Sequence, residues 1–142
     1  MIERRGNLWT FPADYRIITT NGSINAAGRA VMGRGCALEA TERFPLLDYD
    51  LGRELQKRGN HVHMFDQYKL FTFPVKEYWH DIADVDLIKQ SVEELSTYIH
   101  PKFRYVMPRA GCGFGRLQWE DVRPLLEPLP QNVVVITYTD GD

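Results

Sequence analysis

The sequence of 142 residues predicts an α/β sandwich with a mixed central sheet. Short runs of β-branched and aromatic residues alternate with segments whose apolar residues recur every three or four positions. A nearly continuous apolar strand at residues 133–138 is typical of a sheet centre covered on both faces. No repeat, low-complexity segment or linker interrupts the chain, so we expect one domain over residues 1–142.

The first predicted elements are a strand at residues 15–19, a small polar loop at residues 21–28 and a helix at residues 35–43 that Pro45 ends. We expect the inner side of this helix to carry Ala37, Leu38, Thr41 and Phe44.

The middle of the chain predicts a second helix and a hairpin. Leu47, Leu51 and Leu55 recur at i, i+4 and i+8, and glycine and asparagine at residues 59–60 stop the pattern. Two strands are predicted at residues 61–65 and 68–73, joined by a turn at residues 66–67.

The second half predicts the clearest helix of the chain, which ends before Pro101. A strand follows at residues 103–107, and a short helix that contains Pro124 is expected to begin near Asp121. The long helix has acidic residues at its start and apolar residues on its inner face: Asp81, Asp84 and Asp86, then Val85, Ile88, Val92, Leu95 and Ile99.

The composition excludes several classes of function. A formal net charge of −2 gives no general basic field for non-specific nucleic-acid binding. No stretch is long and apolar enough to span a membrane, and no apolar segment near the start indicates a signal peptide. Cys36 and Cys112 lack the spacing of a metal site. We therefore expect a cytoplasmic protein with no disulfide, metal or cofactor.

Two glycine-rich loops carry the most specific signal. Residues 31–35 (VMGRG) and 111–115 (GCGFG) each lie between a predicted strand and a predicted helix, where backbone N–H groups and the helix dipole favour anions. Neither loop matches the common nucleotide-binding fingerprints, so a P-loop NTPase or a Rossmann dehydrogenase is not expected. Two such loops could hold both phosphates of a nucleotide diphosphate, or they could only turn the chain. Nearby arginines form either a basic rim or solvated surface: Arg29, Arg34, Arg109 and Arg116.

Other reactive side chains have simpler alternatives. Lys76 follows a predicted strand, so its amine could contact an anion or attack a ribose anomeric carbon, or could be an exposed charge. A helix dipole could favour a Cys112 thiolate, but no histidine near it indicates nucleophilic catalysis. His61 and His63 share one face of a predicted strand without a third metal ligand, so we expect surface or edge-strand histidines.

Four segments, in this order, resemble the macrodomain family of ADP-ribose-binding modules. They are GNLW at residues 6–9, VMGRGCAL at 31–38, FPVKEYW at 73–79 and MPRAGCGFGRLQWEDV at 107–122. Within the family, the chain resembles the branch of the terminal ADP-ribose protein glycohydrolase and of the DarG-type antitoxin, which removes ADP-ribose from thymidine in DNA. The resemblance implies a three-layer α/β/α macrodomain sandwich with a central mixed sheet.

The resemblance also implies roles for single residues. Asn7 would meet the adenine amino group, where the family usually has Asp, and Asn21 or Asn25 would lie near the distal ribose. Lys76 matches the catalytic lysine, whose acidic helper in the human-type enzyme corresponds to Gly115; the DarG type also lacks that acid. The implied ADP-ribose contacts are Asn7, Leu8, Asn21, Val31, Met32, Gly33, Arg34, Gly35, Arg109, Gly111, Cys112, Gly113, Phe114 and Gly115.

We therefore expect an ADP-ribosyl glycohydrolase that releases ADP-ribose from modified DNA or protein, with Lys76 as its catalytic residue. The candidate partners are ADP-ribose or an ADP-ribosylated macromolecule, modified DNA and a toxin, with no membrane. One alternative is a non-catalytic ADP-ribose reader, which the glycine at position 115 favours. The other is an enzyme acting on a free ADP-ribose derivative.

Overall fold

The computed structural model describes residues 1–137, which form six strands and four helices. The strands are β1 (Ile2–Arg5), β2 (Tyr15–Asn21), β3 (Met64–Phe65), β4 (Leu70–Lys76), β5 (Tyr105–Pro108) and β6 (Val133–Thr137). The helices are α1 (Gly35–Arg43), α2 (Leu47–Arg58), α3 (Val85–Ser96) and α4 (Trp119–Leu126).

The strands form one mixed sheet in the order β1-β6-β5-β2-β4-β3. Every neighbouring pair is parallel except β3 and β4, which form the predicted hairpin. The carboxyl ends of the five parallel strands therefore meet at one edge of the sheet, where α/β proteins bind ligands.

Alternating side chains on the strands divide the apolar core between two faces of the sheet. Ile17 packs with α3 and α4, whereas Ile18 packs with α1 and α2. Tyr105 and Val106 divide in the same way on β5. The sheet thus lies between two helical layers, and the predicted three-layer α/β/α architecture with a mixed sheet is confirmed.

The bounds of α1 and the leucine stripe of α2 are confirmed, but the inner face of α1 is corrected. Leu38 is 40% exposed, and the buried positions are Ala37 and Ala40. These two alanines are three residues apart, so they share one side of the helix, and Leu38 points away from it. On α3, Val85 is likewise exposed and Ile99 lies beyond the last helical residue.

Three further boundaries differ from the prediction. Strand β1 was not predicted. It is an edge strand that pairs with β6 alone, and its mostly charged residues show no apolar alternation. Only residues 64–65 of the predicted strand 61–65 pair with β4. Helix α4 begins at Trp119 with Pro124 inside it; the proline and Glu120 are both exposed, so water can reach the carbonyl left without a donor. Tyr138, predicted as the end of the last strand, lies outside the described residues.

No helix in this part of the chain is long and apolar enough to cross a membrane.

Candidate functional site

A cavity of about 400 Å³ opens where the carboxyl ends of β2, β4 and β5 meet. It brings together most of the residues that the sequence analysis proposed for a ligand site. The predicted residues that line it are Asn21, Val31, Met32, Gly33, Arg34, Gly35, Lys76, Arg109, Gly111, Gly113, Phe114 and Gly115.

Seven lining residues were not proposed as contacts. Most of them directly precede or follow a proposed residue, at a strand end or in the first turn of α1. The ends of the predicted strands could therefore have indicated them. They are Thr19, Thr20, Cys36, Ala37, Val75, Trp79 and Pro108.

The N-terminus of α1 lies on the cavity. Arg34 is its N-cap residue and makes no side-chain capping bond. The first backbone N–H groups of a helix have no intrahelical acceptor, and the residues that carry them here, Gly35, Cys36 and Ala37, all line the cavity. Gly35 has φ +59°, a conformation that suits glycine. The first loop therefore offers the cavity an anion-binding end of a helix.

A register shift in the sheet places Asn21 beside Lys76. The pairing of β2 with β4 skips one residue after Thr20, so Asn21 becomes the partner of Lys76. The Asn21 amide donates to the Val31 carbonyl at 3.0 Å and accepts from the Ser23 N–H at 2.8 Å. The Asn21 side chain thus holds the first loop in place beside the lysine.

The Lys76 ammonium lies in a partly buried, positively charged environment. Its Nζ donates to the Asp81 main-chain carbonyl at 3.2 Å. Burial lowers the pKa of the amine most; the Arg34 charge lowers it, the Asp81 charge raises it and the Arg116 charge lowers it. Within residues 1–137, Arg34, Lys76 and Arg116 make no ion pair. The cavity therefore has excess positive charge available to an anion.

The second glycine loop is folded differently from the prediction. It does not open α4, because that helix begins at Trp119 after the N-cap Gln118. Instead the loop turns back on itself through bonds from the Arg116 N–H to the Gly113 carbonyl (3.1 Å) and from the Leu117 N–H to the Gly111 carbonyl (2.9 Å). A helix dipole therefore acts on the cavity from α1 but not from α4.

Arg109 connects the cavity to the outer strand of the sheet. Its guanidinium lies 5.0 Å from the Trp119 ring centroid, and its Nη2 lies 3.8 Å from a Glu3 carboxylate oxygen. The Nε atom is buried without a hydrogen-bond partner among residues 1–137. Arg109 therefore lines the cavity with one N–H donor that residues 1–137 leave unsatisfied.

The remaining predicted contacts do not line the cavity. Leu8 is fully buried, so its side chain belongs to the core and not to a ligand site. Asn7 lies after β1, and its Oδ1 accepts from the Trp9 N–H at 2.8 Å. Cys112 packs against the core beside α3 and α4, and burial raises the pKa of its thiol although Arg109 opposes this. The hypothesis of a stabilised Cys112 thiolate is therefore wrong.

The two histidines lie away from this cavity and in different surroundings. His61 is exposed and its Nδ1 lies 2.7 Å from Glu94 Oε2. His63 is buried directly before the edge strand β3, so of the two expected settings the surface one is wrong for it; its Nε2 lies 2.9 Å from the Gly59 carbonyl oxygen. The residues described in the structure hold no group of three metal ligands.

Comparisons with known proteins agree with this architecture at the level of the fold. No protein-family model and no curated protein matches the sequence. A solved macrodomain of Thermus aquaticus DarG is similar, with TM-score 0.79, 25% identity and 97% coverage of both chains. A macrodomain of Mycobacterium tuberculosis DarG has TM-score 0.79 and 22% identity, with 99% of this chain and 97% of that chain covered.

A third similar structure is Thermosipho africanus DarTG in complex with ADP-ribose, with TM-score 0.75 and 18% identity. The match covers 96% of this chain but only 41% of that longer one. The TM-score is 0.79 over almost the whole length of both DarG macrodomains. This chain has the macrodomain fold, of the type found in DarG.

Proposed function

We propose that the cavity binds ADP-ribose and that the chain is an ADP-ribosyl glycohydrolase acting on modified DNA or protein. One observation carries this proposal: the lysine at the end of β4 lies beside the N-terminus of α1 and near two arginines, Arg34 and Arg116, that have no ion-pair partner in residues 1–137. The ADP-ribose complex of the similar DarTG structure supports the choice of ligand.

The diphosphate is expected at the first loop. Its negative charge would meet the Gly35 and Cys36 N–H groups, which have no acceptor within the helix, and the guanidinium of Arg34. A cavity of about 400 Å³ lies within the usual range of ligand pockets, about 300–1,000 Å³.

Lys76 is the expected catalytic residue. Hydrolysis breaks the bond between the anomeric carbon of the distal ribose and the carrier, and water supplies the new hydroxyl group and the proton for the carrier. A cationic amine beside this bond stabilises the negative charge that develops on the departing carrier. A deprotonated amine could instead attack the anomeric carbon, which the lowered pKa of Lys76 favours.

The test combines binding and turnover. ADP-ribose is titrated calorimetrically into the wild type, Lys76→Ala and Lys89→Ala; the last removes an exposed lysine of α3 outside the cavity. All three proteins are then assayed on ADP-ribosylated thymidine DNA, ADP-ribosylated glutamyl protein and free ADP-ribose derivatives. We expect comparable binding by all three proteins and loss of turnover in Lys76→Ala only. Full activity of that variant would exclude the assigned role of Lys76.

A non-catalytic reader is the second candidate, because a glycine occupies position 115 and no acid faces Lys76 from the second loop. Binding of ADP-ribose without hydrolysis of any linkage in the panel would favour the reader. Turnover of free ADP-ribose derivatives alone would favour an enzyme that acts on a small-molecule metabolite. The cytoplasmic setting and a toxin partner stay predictions.

A further inference from the structure

The acid that the human-type enzyme carries in the second loop would not fit at position 115 of this structure. A Cβ atom at Gly115 would lie 2.5 Å from the Gly111 carbonyl oxygen and 2.8 Å from the Ala83 side chain. The Gly115 carbonyl also accepts a 2.9 Å hydrogen bond from the Ala83 N–H. Position 115 therefore has no room for a side chain while the segment before α3 packs against it.

The segment before α3 also places an acidic residue, Asp81, beside Lys76. A turn closes from the Asp81 N–H to the Tyr78 carbonyl at 3.0 Å, and an Asp81 carboxylate oxygen accepts from the Tyr78 N–H at 3.3 Å. This turn presents the Asp81 main-chain carbonyl to the Lys76 amine at 3.2 Å. His80 Nε2 lies 3.7 Å from the other carboxylate oxygen.

We propose that Asp81 is the positioning residue of Lys76: its carbonyl holds the amine, and its carboxylate supplies the negative charge that position 115 has no room to carry. This inference rests on the proposed function. Asp81 does not line the cavity, so it acts through the lysine and not on the ligand.

The charges around Lys76 make the contribution of Asp81 measurable. Arg34 on the first loop and Arg116 on the second both favour the neutral amine, and Asp81 is the acidic group in residues 1–137 that favours the ammonium form. Removal of the Asp81 charge therefore lowers the pKa of Lys76 further. The pKa of Lys76 falls in Asp81→Asn whether catalysis needs the ammonium or the free amine.

Asp81→Asn is the informative variant. The amide oxygen can still accept from the Tyr78 N–H, so the turn is kept while the charge is lost. Asp86→Asn removes the same charge from the exposed first turn of α3, where Asp86 does not perturb Lys76. Each protein is reductively methylated with 13C and the lysine resonances are followed against pH; Lys76→Arg identifies the Lys76 signal.

We expect the Lys76 midpoint to move to lower pH by roughly half a unit or more in Asp81→Asn, and to stay in place in Asp86→Asn. The limb of the pH–rate profile that belongs to Lys76 should move in the same direction. An unchanged midpoint in Asp81→Asn, or equal shifts in both variants, would overturn the proposal. So would a shifted midpoint with an unchanged pH–rate profile. Absence of turnover in the wild type would refute the proposed function, whereas the resonance titration would still decide whether Asp81 controls the amine.

Discussion

The guanidinium of Arg34 lies 5.3 Å from the ring centroid of Phe114, so the two glycine loops meet across the cavity. The same guanidinium lies 5.8 Å from the Trp79 ring, in the segment that follows Lys76. Three loops from distant parts of the sequence are thus joined through one cation between two exposed aromatic rings.

Phe114→Ala should accelerate release of ADP-ribose. An exposed cation–π contact contributes about 0.5–1 kcal/mol, so we expect the dissociation constant to rise about two- to fivefold, mainly through the off-rate. Stopped-flow displacement of a fluorescent ADP-ribose analogue measures this rate. Tyr49→Ala is the control, because Tyr49 makes a similar contact with Arg29 outside the cavity. Equal off-rates for the wild type and Phe114→Ala would contradict a role for this contact.

Two glycines of the cavity should respond in opposite ways to alanine. A Cβ at Gly33 meets no atom within 4 Å, so Gly33→Ala should leave the free energy of unfolding within about 0.5 kcal/mol. The added methyl group would occupy the space that a closely bound phosphate needs, and ADP-ribose affinity should fall about tenfold. Gly115→Ala should instead destabilise the fold by about 1–3 kcal/mol, because its Cβ collides with the Gly111 carbonyl.

Urea unfolding and calorimetric titration of both alanine variants separate these effects. If Gly33→Ala keeps full affinity for ADP-ribose, the diphosphate does not approach the first loop. If Gly115→Ala is as stable as the wild type, the second loop can move away from Ala83.

Asn7→Asp should strengthen ADP-ribose binding. Because Asn7 Oδ1 accepts from the Trp9 N–H, the other end of the side chain is the Nδ2 amide nitrogen, which is a donor. The adenine amino group also donates. The second carboxylate oxygen of Asp would therefore supply an acceptor for this amino group, which the Asn7 side chain does not offer. We expect about a tenfold gain in affinity for ADP-ribose and no gain for the hypoxanthine analogue, whose 6-oxo group accepts. Equal gains for both ligands would show that Asn7 does not contact the base.

Acid should weaken the attachment of β1 to α4. The Glu3 carboxylate accepts from Trp119 Nε1 at 2.8 Å and from Arg123 Nε at 2.7 Å, and the bond from Arg123 contributes most to holding the pKa of Glu3 below its usual value. A carboxyl whose pKa is lower in the folded state stabilises the protein above its unfolded-state pKa, about 4.3, and loses this effect as the pH falls through the folded-state value.

Glu3→Gln should therefore be less stable than the wild type at pH 7 and should lose less stability between pH 5 and the acid transition. Urea midpoints at several pH values test this, with Glu42→Gln as the control because Glu42 is exposed and its side chain makes no hydrogen bond or ion pair within residues 1–137. Parallel pH dependence of Glu3→Gln and the wild type would exclude the contribution of Glu3.

Local signals explain which parts of the structure could be predicted. Glycines, prolines and the leucine stripe of α2 act within a few residues, so the bounds of α1 and α2 and the two cavity loops were recognisable. Strand β1 was not, because its charged edge position carries no apolar alternation. The contact of Asp81 with Lys76 depends on how residues 78–84 pack against the second loop. Packing between segments that are far apart in the sequence is not predicted by any local sequence pattern.

The close packing of Gly115 on Ala83 restricts how this chain could change over generations. A single codon change can turn this glycine into Asp or Glu, but the new side chain would meet the Gly111 carbonyl and Ala83 and would destabilise the second loop. Room for such an acid requires a shift of the segment before α3, which is the segment whose turn brings the Asp81 carbonyl to Lys76. The side chain at position 115 and the position of the Asp81 charge are therefore coupled, so a mutation at one is expected to disturb the other.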